Sequence, residues 1–159
     1  MSDQVSDQVS DQVSDQLFSE SSEEILKRIK FASSAEDLVK CICFSKENQL
    51  IVDYRYFKHI ATTMSYHMIT TRIISMIDEI LARYPKFIAH MCIKTLTVGD
   101  VEKHMAYIKV LSNTLKERYQ DKMTTCSVYK APFIFAQVYG LVSCFIDKDT
   151  QAKISLIKK

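Results

Sequence analysis

From residue 50 to residue 157 the chain switches repeatedly between short β-type runs and longer stretches of helical spacing. That alternation limits its possible folds more than any other feature. Residues 50–57 are β-branched and aromatic, with Val52, Tyr54 and Tyr56 alternating, and they predict a strand. From 64 to 83 the pattern is helical: Ile69, Ile73, Met76, Ile77, Ile80 and Tyr84 recur at helical spacing, and Pro85 closes the helix. Residues 87–93 form a nearly continuous apolar run that suits a strand buried on both faces. Thr97 and Asp100 predict the cap of a helix whose inner face is Val101, Met105, Ile108, Leu111 and Leu115. A strand over 124–129, a helix over 132–146 and a strand over 154–157 complete the series. Strands separated by helices imply right-handed crossovers, so the fold class is α/β, a mostly parallel sheet flanked by helices.

Upstream, Ser21 with Glu24 predicts a capped short helix ending at Lys30, and Ser33 with Glu36 a second one carrying Leu38, Val39 and Ile42. Residues 2–17 repeat one four-residue unit, Ser2-Asp3-Gln4-Val5, with two exact copies and a last one ending in Leu17. Ser and Asp are weak helix formers, and one apolar residue in four cannot offset the entropy of ordering. Residues 1–20 are therefore read as a disordered arm and 21–159 as one domain.

Several function classes drop out. No apolar run approaches the roughly 18 residues of a membrane span. The acidic N-terminus fits neither a secretory signal nor a transit peptide, which leaves the cytoplasm as the expected location, with peripheral membrane contact open. Five cysteines, mostly within apolar runs, read as reduced thiols, and Cys41 with Cys43 lacks a second pair for zinc. With Gly99 and Gly140 as its only glycines, the chain has no glycine-rich loop for a dinucleotide or triphosphate. No Arg-rich stripe suggests nucleic acid. No catalytic constellation stands out: His90 reads as a structural histidine, and nothing in sequence lowers the pKa of Cys92 or Cys126. The expectation is a non-enzyme without cofactor. Charge is uneven, because residues 86–159 carry twelve Lys/Arg against six Asp/Glu. Such a half can face an anionic membrane or form an ordinary solvated surface.

The segment 132–146 is apolar on every side and uncharged, interrupted by Gln137, Gly140 and Ser143. Such a helix is either a core helix or a lid over an apolar cavity that can touch lipid. Gly140 within it fits a helix that bends or is closely approached.

Three ordered motifs carry a resemblance. They are Tyr119-Gln120-Asp121-Lys122-Met123, then Val128-Tyr129-Lys130-Ala131-Pro132-Phe133-Ile134-Phe135, then Phe145-Ile146-Asp147-Lys148-Asp149-Thr150-Gln151-Ala152-Lys153-Ile154. Together they resemble the CRAL-TRIO lipid-binding domains, whose pattern runs YPxxM, NAPxxF, a gate helix and PFLxxxTxxKI. Cys92-Ile93-Lys94-Thr95-Leu96-Thr97 takes the place of that family's DLKGLS turn. The resemblance implies a non-catalytic domain that holds one phospholipid, a phosphoinositide or another glycerophospholipid, and meets membranes transiently. It implies headgroup contacts from Thr150, Lys153 and Asp121. It also implies a pocket closed by helix 132–146, with Phe133, Phe135, Val138, Tyr139 and Val142 at the gate.

The sequence departs from the pattern at four places. Cys92 and Thr95 replace the DLKG aspartate and glycine, so that turn is expected to be built differently. Lys130 replaces the NAP asparagine, and Cys144 a proline. The family continues past its KI motif, so a shortened domain, a fragment or a degenerate copy is expected, with part of the pocket wall lacking. The alternative function is a ligand-free protein-interaction module of the same fold, using an unpaired strand edge.

Overall fold

The computed structural model describes residues 18–61, 65–143 and 146–157, apart from the side chain of Val142. The repeat of residues 2–17 lies outside them. In chain order the elements are α1 (Ser22–Lys30), α2 (Ala35–Ile42), β1 (Cys43–Lys46), β2 (Gln49–Asp53), α3 (Tyr54–Ile60) and α4 (Tyr66–Leu81). There follow β3 (Phe87–Cys92), α5 (Val98–Lys103), α6 (Met105–Tyr119), β4 (Met123–Tyr129), α7 (Phe135–Val142), α8 (Lys148–Ala152) and β5 (Ile154–Ile157).

The five strands lie in sequence order. β1 and β2 form an antiparallel hairpin, and β2 through β5 run parallel, as the alternation of the sequence predicts. Each crossover steps one strand in the same direction, so right-handed connections bring their helices to one face. The side-chain alternation of a strand then separates two cores. Leu50, Phe87, Ala89, Cys126 and Val128 meet Ile69, Ile73, Met76, Ile77 and Ile80 of α4 in the larger one. Ile51, Cys92 and Tyr129 turn to the other face, where they bury Phe18 completely. Phe18 and Glu20 therefore pack on the domain, where the sequence assigned them to the arm.

Local chemistry explains where elements start and stop. Ser21 accepts from the Glu24 amide at 3.2 Å, as expected. The second helix is capped one residue later than Ser33: Ser34 accepts from the Asp37 amide at 3.2 Å, while the Ser33 hydroxyl donates to the Asp37 carboxylate. The strand expected over 50–57 is half helix. Asp53 ends β2 and caps α3 by accepting from the Arg55 amide at 3.0 Å, and its carboxylate also binds the Arg55 guanidinium at 3.0 and 2.9 Å. Cap and ion pair together outweigh the β preference of Tyr54, Tyr56 and Phe57. Thr97 and Asp100 form the full capping box. The helix after it breaks at His104, whose ring is buried between Phe57 and Tyr66.

Two departures from the family pattern have a conformational meaning. Thr95, at the DLKG glycine, has φ of 78°, and Lys130, at the NAP asparagine, has φ of 56°. Both positions have the left-handed backbone that glycine and asparagine favour. For a β-branched threonine this conformation is strained. The Lys58 ammonium donates to the Thr95 carbonyl at 2.9 Å and helps hold it there.

Candidate lipid-binding cavity

The stripe on α6 does not close against the sheet. Leu111 and Leu115 are half-buried and, with Ile73 and Ile77 of α4, stand over Val52, Ala89 and Met91 across a cavity of about 310 Å³. This gap is why Leu111 and Leu115 are only partly covered, while the residues that α6 does bury, Tyr107 and Tyr119, lie outside the expected inner face.

One end of the cavity is polar. Asp121 sits in the turn after α6 with φ of 63°, Thr150 lies on α8, and Lys153 ends α8. All three line the cavity, so residues separated by about thirty positions in sequence converge on one mouth. Lys116, Gln120, Asp147 and Asp149 complete it. Sequence reasoning missed these four. Asp147 and Asp149 belong to the same motif as Thr150, whereas Lys116 bears no signal beyond following Leu115.

The fold places α8 by hydrogen bonds. The Asp147 carboxylate accepts from the Thr150 amide at 2.8 Å, and the Gln151 amide group donates to the Ser143 and Ile146 carbonyls at 2.9 and 2.6 Å. The Cys126 amide donates to the Lys153 carbonyl at 2.9 Å, which fixes the end of α8 to β4. Thr150 also holds the Asp147 carboxyl below its usual range through side chain and backbone, with Lys116 and Lys153 adding to the effect. Lys116 stands 3.8 Å from Asp147, a half-exposed pair that contributes little by itself. Two lysines thus face three aspartates at this end.

The gate residues lie elsewhere. α7 spans eight residues, fewer than the fifteen of the expected 132–146 helix, because Ser143 and Ile146 turn toward Gln151. It packs beside α5 and α6. Val138 is buried there, Phe135 and Tyr139 are half-buried with ring centroids 5.7 Å apart, and Phe133 is 99 % exposed. None of these four lines the cavity, and the Val142 side chain lies outside the described residues. Ile146, in the turn after α7, does line it. A Cβ on Gly140 would meet no atom within 4 Å, so close approach is not the reason for that glycine.

Burial shifts the titration of Cys92, Cys126 and His90. Burial pushes the Cys126 thiol up to about 11 and also raises that of Cys92. His90 Nδ1 shares a 2.8 Å hydrogen bond with the Tyr129 hydroxyl, and burial lowers its pKa to about 4. No described helix is long and apolar enough to cross a membrane.

Comparison with known proteins agrees with this architecture. The CRAL/TRIO domain model matches residues 60–159. The crystal structure of Sfh5 aligns with a TM-score of 0.63 at 13 % identity, over 81 % of this chain and 54 % of that one. At that identity the likeness concerns the fold, and the chain spans about half the length of this relative. No curated protein matches.

Proposed function

The chain belongs to the CRAL/TRIO domain family, and from that premise we propose that it binds a phospholipid in the cavity between the sheet, α4 and α6, without catalysing a reaction. The observation that carries this reading is one apolar cavity with Asp121, Thr150 and Lys153 at its polar end. Lysines and a hydroxyl suit a phosphate, and carboxylates accept from headgroup hydroxyls. A mouth with both signs favours a phosphodiester headgroup rich in hydroxyls, such as inositol, over one bearing several phosphomonoesters.

Volume sets the mechanism. At about 310 Å³ the cavity lies at the small end of the roughly 300–1,000 Å³ range of ligand pockets. A two-chain phospholipid carries about 30 methylenes, each contributing ~0.8 kcal/mol on leaving water. Uptake of the whole lipid is then accommodated by α6 or α8 moving outward, which a membrane surface favours by solvating the exposed apolar face. The exposed Phe133 ring and the basic half of the chain supply a contact for that surface.

The alternative, a protein-interaction module, is favoured by one observation. β5 is an edge strand, and its Leu156 is 46 % exposed. Native mass spectrometry of the protein purified from cells, followed by lipid extraction, separates the two. A one-to-one phospholipid adduct is expected. A bare protein that also stays empty after incubation with mixed vesicles refutes lipid binding and favours the module.

A further inference from the structure

On the sheet face opposite the cavity, at the carboxyl ends of β2, β3 and β4, three residues are held as a ligand would be. Such strand ends are where open parallel sheets form binding crevices. The Phe18 ring is fully buried against Ile51, Cys92 and Tyr129, with its centroid 5.2 Å from that of Tyr129. Its carbonyl accepts from Lys130 Nζ at 2.6 Å. The Glu20 carbonyl accepts from the guanidinium of Arg55, which Asp53 locks in place. The Glu20 carboxylate accepts from the Tyr56 hydroxyl at 3.1 Å and pairs with Arg28 at 3.1 Å. Ser19 between them is exposed.

Each contact has a distinct selectivity. The slot between β2, β3 and β4 takes an aromatic ring, and the phenol and guanidinium of Tyr56 and Arg28 take an acid two residues later. Lys130 and Arg55 bind main-chain carbonyls and so accept any sequence at those points. We propose that this surface is a groove for a short peptide of the pattern aromatic–any–acidic, occupied in cis by Phe18–Glu20 and able to take the same pattern from a partner protein. Charge complementarity supports that occupant, because Arg28, Arg55 and Lys130 surround an acidic segment. Ordering entropy opposes so short a contact. The cis segment joins directly to α1 and acts at about millimolar effective concentration, so a free peptide competes once the cis ring is removed. The inference is independent of lipid binding.

The test uses the full chain and a labelled synthetic peptide of residues 14–22, followed by fluorescence anisotropy. The Phe18→Ala chain is expected to bind this peptide saturably, at least tenfold tighter than the unmodified chain does. Peptides carrying Phe18→Ala or Glu20→Lys should lose that binding. A folded Phe18→Ala chain that binds no peptide, or equal binding by both chains, overturns the proposal. Should Phe18→Ala fail to fold, the Glu20→Lys chain decides. It keeps the ring but loses the acid contact, and should bind the unaltered peptide at least threefold tighter than the unmodified chain. No gain overturns the groove.

Discussion

Ala89 gives the sharpest test of the cavity. It lies midway along β3, between Leu50 and Cys126 on the neighbouring strands, and its side chain lines the space under α4 and α6. Ala89→Leu adds three carbons to that wall. They occupy space that a bound acyl chain would otherwise fill. A bound lipid then loses the burial of about three methylenes, at ~0.8 kcal/mol each, or about 2.4 kcal/mol in total. With a tenfold change for each ~1.4 kcal/mol, affinity falls roughly 50-fold. The empty protein gains, because a filled apolar cavity adds about 0.5–2 kcal/mol of stability. Displacement of a fluorescent phospholipid measures the first effect and urea unfolding the second. Ile51→Val on the opposite face serves as control, with a stability cost of about 0.5–1.5 kcal/mol and no effect on lipid. Unchanged affinity in Ala89→Leu would show that lipid does not sit against β3. Destabilisation would show that the cavity has no room for the added carbons.

Three further outcomes are expected. Lys153→Ala removes one cation at the mouth and leaves the Lys153 carbonyl bonded to Cys126, so uptake of phosphatidylinositol from vesicles should fall roughly tenfold. Its melting temperature should stay nearly unchanged, and equal uptake by mutant and parent removes Lys153 from the site. His90 should make the fold acid-sensitive: unfolded it protonates near 6.5, while folded it resists until about 4. Falling pH through that window then costs about 3 kcal/mol of stability through this residue, absent above 6.5 and complete below 4. Urea midpoints of His90→Gln and parent should diverge in that way, and parallel pH profiles refute the burial argument. Thr95→Gly relieves a left-handed backbone worth about 1–2 kcal/mol against a glycine entropy cost of about 0.5–1, so a gain of roughly 0.5–1 kcal/mol is expected. A lower denaturation midpoint for Thr95→Gly would mean that the threonine side chain contributes more than its backbone costs.

Much of the fold was legible because its signals are local. The helical spacing of Ile69, Ile73, Met76, Ile77 and Ile80 marks a buried face, and those five residues are buried. The capping box of Thr97 and Asp100 is present where the spacing predicts it. Alternation of strand and helix implied parallel pairing, which β2 to β5 adopt. The hairpin of β1 and β2 was hidden in the polar break of residues 45–49, where a tight turn has no hydrophobic period to reveal it. Tyr54 to Phe57 misled for a related reason. β propensity describes how a side chain fits a half-buried surface, and a helix packed on the core offers such a surface too.

The candidate site divides along the same line. The family resemblance singled out Asp121, Thr150 and Lys153, and these residues line one cavity. Sequence alone marked the alternation of strand and helix from β2 to β5 and the buried face of α4, because each depends on neighbours within a few residues. Tertiary structure alone decided that α6 stands off the sheet, that α7 packs beside α5 and α6, and that Phe18 fills a slot across three strands. Those outcomes depend on which surfaces meet across the sheet, and an apolar stripe gives its own direction without naming the surface it will bury.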